Sequence, residues 1–286
     1  MSKYTPFTYL PDIKFKHNII DFSTPIVMGI LNLSNDSFYD GGKYNSNDKI
    51  IAQCRKMLVE GADIIDIGAY SSRPGSSGVT KNEELQKIIA AVKLIREEFP
   101  KAILSVDTFR SIVAKKAIEA GADIINDISA GELDHQMVKT IAELDVPYII
   151  MHMKGNPQNM QKNPYYKDVS TEVFTYLEKK IEKLKNEGIK NIIIDPGFGF
   201  GKTLEHNYEL LNKINILKKL NVPVLIGTSR KSMIYKLLNI TPEKAINGTT
   251  ITHIIALQKG VNILRAHDVA EAVECIKMFT FAKDLS

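Results

Sequence analysis

The chain is poor in features that would commit it to a specialised class. It has two cysteines, Cys54 and Cys275, in 286 residues. Both lie inside apolar helical patterns, so they read as small buried thiols and not as a disulfide framework or a cysteine metal site. No apolar run approaches the roughly 18 residues that a membrane span requires. The opening residues 1–16 have no long apolar core, so no secretory signal is expected and the expected compartment is the cytoplasm. An excess of one charge is also missing. Against 33 aspartates and glutamates stand 37 lysines and arginines, which leaves +4 spread without a basic block. Neither nucleic acid nor a membrane is therefore an expected partner. Hydrophobic residues at 44% and charged residues at 24% are ordinary for a globular chain, which argues against disorder, collagen or coiled coil.

What is present is an alternation of two patterns. Short β-branched runs recur at residues 26–31, 63–67, 102–107, 123–127, 146–152, 191–195, 223–226 and 262–266. They are continuously apolar, as parallel strands covered on both faces must be. Helical patterns lie between them. Residues 82–98 place Leu85, Ile88, Ile89, Val92 and Ile95 on one face behind a capping box, Thr80 and Glu83. Residues 171–187 do the same with Phe174, Leu177, Ile181 and Leu184. Thr241-Pro242 fits an N-cap followed by proline in the first turn. Gly61, Gly121, Gly188 and Gly260 each close a helix just before a strand, where a left-handed cap is needed. The words Gly-Ala-Asp-Ile-Ile occur at both 61 and 121, which suggests a repeated helix–strand unit.

Length alone, at about 150 residues per domain, gives a weak prior of two domains. Eight strands with intervening helices and no domain-sized linker favour instead an α/β fold of one closed (β/α)8 TIM barrel. The expected division is a short N-terminal extension over residues 1–24 and a single barrel domain over 25–286. Within the extension, residues 12–21 are expected to form a hairpin under the barrel floor.

In such a barrel the active site lies where the strands end. Strand 1 runs into Asn32 and then Asp36, and strand 2 into Ser72, Arg73 and Pro74. Strand 3 ends at Asp107, strand 4 at Asn126-Asp127, strand 5 at Met151-His152 and strand 6 at Asp195 before Phe200 and Lys202. Strand 7 leads to Ser229-Arg230-Lys231 and strand 8 to Arg265-Ala266-His267-Asp268. Taken singly, Asp107, Asp127 and Asp268 fit helix N-caps as well as a site, and Lys202, Arg230 and Lys231 fit solvated surface charges. His152 fits a hydrogen-bonded rim residue as well as a catalytic one. Together they form a ring of polar groups. Asp107, Asn126 and Asp195 offer acceptors for a flat, donor-rich heterocycle, because a carboxylate accepts two parallel N–H bonds. Arg73, Lys231, Arg265 and His267, with Asn32, suit phosphate or carboxylate.

Several motifs miss. Residues 196–203 end like a phosphate loop, but Pro196 stands where that motif requires glycine. There is no His-Glu-x-x-His, and strand 5 supplies a single histidine, so a histidine-rich metal site is not expected. A lone asparagine beside phosphate oxygens does suit Mg²⁺.

The segments Met28-Gly29-Ile30-Leu31-Asn32, Asp36-Ser37-Phe38, Ser72-Arg73-Pro74-Gly75, Ser105-Val106-Asp107-Thr108 and Asn126-Asp127-Ile128 match a known family in order. So do Met151-His152-Met153, the run from Asp195 to Lys202, Ser229-Arg230-Lys231-Ser232 and Arg265-Ala266-His267-Asp268. From residue 26 to about 278 the chain resembles dihydropteroate synthase. The resemblance implies a transferase that joins 6-hydroxymethyl-7,8-dihydropterin diphosphate to 4-aminobenzoate. By position it implies pterin contacts from Asp107, Asn126, Met151, Asp195, Lys231 and Arg265. It implies diphosphate contacts from Asn32, Ser72, Arg265, Ala266 and His267, with Asn32 also ligating Mg²⁺. The 4-aminobenzoate pocket would be Pro74, Phe200, Ser229 and Lys231, and the catalytic set Asp36, Arg73 and Lys231. It further implies a homodimer through the late helices, where Ile234, Leu237, Ile251, Ile254 and Ile255 read equally as interface or as core. The chain departs from the family at Asn35, for proline, and Tyr70, for glutamate, and carries Ser34 and Ser72 for threonines. Two other readings are a pterin-dependent methyltransferase domain and a pterin-binding protein without catalysis. The segments around Lys231 and His267 suit a carboxylate and a diphosphate, and so favour the synthase.

Overall fold

The structure is a computed structural model. It describes residues 10, 12–15, 18–33, 43–69, 79–156 and 158–285, with the side chains of α1 from residue 47 onward. β1 (Ile13–Phe15) and β2 (Asn18–Ile20) pair antiparallel, Ile13 opposite Ile20. Eight parallel strands follow: β3 (Ile26–Asn32), β4 (Ile64–Gly68), β5 (Ile103–Asp107), β6 (Ile124–Asp127), β7 (Tyr148–Met151), β8 (Ile192–Asp195), β9 (Leu225–Ile226) and β10 (Ile263–Ala266). Their order is β8-β7-β6-β5-β4-β3-β10-β9, and a parallel bridge from Ile194 to Val224 joins the two ends. The ring closes, and the fold is the expected (β/α)8 barrel.

The helices are α1 (Lys43–Glu60), α2 (Lys81–Glu98), α3 (Ser111–Ala120), α4 (Met137–Leu144), α5 (Val169–Asn186), α6 (Leu204–Lys213), α7 (Ser232–Tyr235), α8 (Ile246–Gln258) and α9 (Val269–Asp284). Local chemistry sets their ends. The Thr80 hydroxyl accepts the Glu83 N–H and Glu83 accepts from the Thr80 N–H, so both members of the capping box are made. Gly121 closes α3 at φ 116°, a conformation that glycine takes without strain. Thr241-Pro242 starts only a three-residue 3₁₀ turn, without a side-chain cap bond. No helix among the described residues is long and apolar enough to cross a membrane.

Strand parity divides the side chains. Val27, Leu31, Ile65, Ile67, Leu104, Val106, Ile125, Ile150, Ile192, Ile194 and Leu264 face the helices in one large apolar layer. The opposite set faces the barrel axis. Its lower layer is Met28, Ile64, Ile124, Ile149, Ile193, Leu225 and Ile263, packed against Leu10, Ile13, Phe15, Ile20 and Phe22. The hairpin therefore plugs the barrel at the N-terminal ends of the strands. Going up the axis, the inward set turns polar: Asp66 above Ile64, Ser105 and Asp107 above Ile103, Asn126 above Ile124, Asp195 above Ile193 and Arg265 above Ile263. This switch from apolar floor to polar mouth positions the site.

Candidate active site

Arg265 is the hub of the mouth. Its Nε donates to Asp66 Oδ2 at 2.6 Å and its Nη2 to Asp107 Oδ2 at 2.9 Å. Asn126 Nδ2 donates to the same Asp66 oxygen at 3.0 Å. Two carboxylates this close inside a barrel need such a partner, since an unpaired buried charge costs several kcal/mol. Asp107 keeps 24% of its side chain exposed at the mouth. Burial nonetheless pushes its pKa up to about 7; Arg265 opposes that shift, and the Asp66 charge adds to it. Asp195 is buried, and its Oδ1 accepts the Gly197 N–H at 2.7 Å. Burial raises its pKa too, against the pull of the Lys231 ammonium.

Lys231 closes the other side. Its Nζ donates to the Phe198 carbonyl at 2.5 Å and lies 4.8 Å from the Phe200 ring centre. Burial brings its pKa down to about 8, against the attraction of Asp195. Phe200 packs with Met151, Met153, Met160, Ile128 and Phe109 in a small apolar cluster beside the polar ring. Ser229 Oγ sits 3.0 Å from His267 Nδ1 and accepts the His267 N–H at 3.2 Å. Two inward positions carry glycine. A Cβ on Gly227 would meet Lys231 Nζ at 3.8 Å and Arg265 Cβ at 4.0 Å, and one on Gly68 would meet Asp107 Cβ at 3.5 Å. Lys231 and Arg265 thus both come up to Gly227, and Asp107 comes up to Gly68.

The turn after β8 is held from below. Lys202 Nζ is buried and donates to the carbonyls of Gly197 at 2.8 Å and Phe200 at 3.2 Å, and meets His152 Nδ1 at 3.0 Å. Burial drops the Lys202 pKa to about 7 and that of His152 to about 2, the Lys202 charge adding to the latter. His152 is thus buried against Lys202, and Lys202 is no solvated surface charge. Gly197 has φ 72°, and a Cβ there would fall 2.0 Å from the His152 carbonyl oxygen, so only glycine fits.

The structure thus brings Asp107, Asn126, Met151, Asp195, Phe200, Ser229, Lys231, Arg265 and His267 to one rim. Asn32 stands exposed at the end of β3 on the inward parity. The Ala266 methyl instead packs in the apolar layer outside the barrel, which leaves only its main chain for a ligand. Asp36, Ser72, Arg73 and Pro74 lie outside the described residues. Asp127 faces outward and caps its own turn, accepting from Ser129, Gly131 and the Tyr148 hydroxyl. Asp268 is ion-paired with Arg230 at 2.5 Å and makes no side-chain cap bond. The sequence reading missed Asp66, which sits inside the apolar run Ile-Ile-Asp-Ile. Its signal was parity: it shares the inward face with Arg265.

A barrel with a carboxylate-edged, cation-flanked mouth defines a binder of heterocycles with anionic tails. The family model described as pterin binding enzyme matches residues 28–267. Dihydropteroate synthase of Haemophilus influenzae is 43% identical over 262 residues, covering 91% of this chain and 94% of that one. The crystal structure of the Yersinia pestis dihydropteroate synthase with a sulfonamide drug complex matches with a TM-score of 0.90 at 38% identity, over 96% of this chain and 100% of that one. That of the Xanthomonas albilineans dihydropteroate synthase with 4-aminobenzoic acid matches with a TM-score of 0.88 at 37% identity, over 96% and 98%. The chain belongs to the pterin binding enzyme family and, within it, to the dihydropteroate synthases. It is accordingly a transferase of folate synthesis.

Proposed function

We propose a division of labour on this rim for the family reaction, in which 6-hydroxymethyl-7,8-dihydropterin diphosphate and 4-aminobenzoate give 7,8-dihydropteroate and diphosphate. The observation that carries it is the Asp66–Arg265–Asp107 ion-pair cluster, with buried Asp195 and with Lys231 at the same end of the barrel. Asp107 and Asp195 accept along the pterin edge and Asn126 accepts or donates there, with Met151 beneath it. Lys231 and Arg265 flank its faces, Arg265 also reaching the diphosphate. Asn32, Ser72, the Ala266 main chain and His267 take the diphosphate. Phe200, Pro74, Ser229 and Lys231 line the 4-aminobenzoate pocket. Asp36 and Arg73 act from the first two loops.

The C–O bond to the diphosphate breaks, and its electron pair leaves with the diphosphate oxygens. The pterin ring shares the positive charge left on its methylene carbon. The aniline nitrogen then forms the new C–N bond and gives up a proton. Fixed cations at the leaving group favour this order, since they stabilise charge where it develops. Asn32 fits Mg²⁺ in one respect: it is an exposed oxygen donor at the mouth. Among the described residues there is no group of three or more histidine, cysteine or carboxylate side chains to cage an ion. A site of that kind suits Mg²⁺, which keeps its waters and borrows substrate oxygens. When bound, the ion would neutralise diphosphate charge.

Residues 1–24 are proposed as an extension and 25–286 as one barrel domain, a reading supported by the hairpin under the floor. A homodimer is proposed through the α7–α8 face. The cytoplasm is the proposed compartment, supported by two buried free thiols. One coupling assay tests the function: pterin diphosphate, 4-aminobenzoate and Mg²⁺ should yield dihydropteroate and diphosphate in equal amounts. Diphosphate release without incorporation of 4-aminobenzoate would refute the reading.

A further inference from the structure

We propose that Asp66 is a positioning residue of the pterin site, acting through Arg265 and Asn126. It sits at the middle of β4, fully buried, on the inward face. One oxygen, Oδ2, accepts both the Arg265 Nε–H at 2.6 Å and the Asn126 amide at 3.0 Å. Those partners come from β10 and β6, each two places from β4 around the ring and on opposite sides of it. The other oxygen, Oδ1, has no hydrogen-bond partner among the described residues, and neither has the hydroxyl of Ser105, its register partner on β5. Among the described residues, therefore, the Asp66 charge is answered by Arg265 and Asn126.

A residue that only filled space here would be apolar, like Ile64 one inward step below. A carboxylate at this depth is costly, and what it gains in return is a fixed guanidinium. Asp66 and Asp107 compete for Arg265. Held by its Nε edge on Asp66, Arg265 gives Asp107 a single Nη2 contact of 2.9 Å. Without the Asp66 charge, the guanidinium is free to turn its fork onto Asp107 and take up the oxygens that a pterin must reach. Asp66 thus keeps Asp107 available without touching the substrate.

This inference rests on the assignment of the pterin to this rim, and the test separates the two. Asp66→Asn keeps size and removes charge. It should raise KM for the pterin diphosphate by about 10–100-fold, the scale of a charge-assisted hydrogen bond. The apparent KM for 4-aminobenzoate at saturating pterin should move by less than about twofold, since its pocket is not held by Asp66. Calorimetry with 6-hydroxymethylpterin should show the same loss. In an Arg265→Ala background, Asp66→Asn should cost less than about threefold more, because its partner is already gone. Equal losses in both backgrounds, or wild-type KM values, would overturn the proposal. If Asp66→Asn does not fold, the wild-type protein decides. The Arg265 Nε–H resonance, assigned by its absence in Arg265→Lys, should stay slow to exchange in the 6-hydroxymethylpterin complex, and fast exchange would overturn the proposal. A wild-type protein that binds 6-hydroxymethylpterin but forms no dihydropteroate would sink the reaction alone, leaving Asp66 to be judged from binding.

Discussion

Asp195 and Lys231 are the residues at which the proposed site is most directly tested. Asp195→Asn keeps an oxygen for the Gly197 N–H but loses the charge that a donor-rich edge prefers. Pterin binding should weaken by about 1.5–3 kcal/mol, the worth of a hydrogen bond to a charged group. Calorimetry that finds unchanged affinity would remove Asp195 from the site. The pH profile follows from two neighbours. Asp107, raised to about 7 chiefly by burial, accepts N–H bonds as an anion, so binding should strengthen as pH rises through that value. Lys231, lowered to about 8 by burial, is a cation only below that value, so binding should weaken as pH rises through it. Affinity for 6-hydroxymethylpterin should therefore peak between the two. In Lys231→Arg the alkaline limb should vanish, because a guanidinium does not titrate there. A flat wild-type profile across that interval would show that neither group reports on binding. These positions were legible as polar ends of apolar runs. Asp66 was not, because an isolated aspartate between isoleucines reads as part of a strand until closure of the ring brings Arg265 against it.

At the scale of elements, the local signals were strong and the facing was not. The glycine caps, the Thr80–Glu83 box and all eight barrel strands follow from residues next to each other in the chain. Which side of a strand faces the axis does not. Asp127 and Asn126 are neighbours, yet Asn126 enters the site and Asp127 turns outward to hold its own loop. Ala266 beside Arg265 repeats the division. Lys202 was unreadable for a related reason: its acceptors converge from the β7 and β8 ends, and only their meeting makes a buried ammonium affordable. The hairpin gives a prediction at this scale. Phe15 on β1 is 4% exposed and packs into the lower barrel layer. Phe15→Ala should cost about 3–5 kcal/mol through the cavity it leaves. Urea unfolding would measure this. The floor and the rim are opposite ends of the barrel, so kcat/KM under native conditions should change by less than about twofold. Wild-type stability would show that the hairpin does not seal the floor, and a large kinetic loss would show that it does more than seal it.

For the whole molecule, a near-neutral chain holds one buried carboxylate–guanidinium cluster in the barrel mouth and exposes several large aliphatic side chains around α7 and α8. Ile234 is core, 1% exposed, whereas Leu237 and Ile251 are 54% and 53% exposed, and Leu238 is 49% exposed. Leu238 lies against α8 near Ile251: a Cβ on Gly248 would meet Leu238 at 3.2 Å, and Ile251 lies one turn further along the same helix. The sequence could not separate interface from core here, because both are apolar at helical spacing and only burial against the barrel tells them apart. Large aliphatic side chains grouped on one face mark an interaction surface more often than isolated ones do. The proposed dimer uses this face in both copies, so one substitution acts twice across a twofold axis. Ile251→Asp introduces two carboxylates into the contact, where burying them unpaired costs more than the contact returns. Sedimentation velocity should find a dimer for the wild type and a monomer for Ile251→Asp at the same concentration. A wild-type monomer would refute the dimer, and a variant that stays dimeric beside a dimeric wild type would move the interface elsewhere. Every rim residue described comes from a single barrel, so the monomeric variant should still bind 6-hydroxymethylpterin with wild-type affinity. Loss of binding together with loss of the dimer would mean instead that the α7–α8 face supports Lys231, which lies just before α7 and would then be held in place by the partner copy.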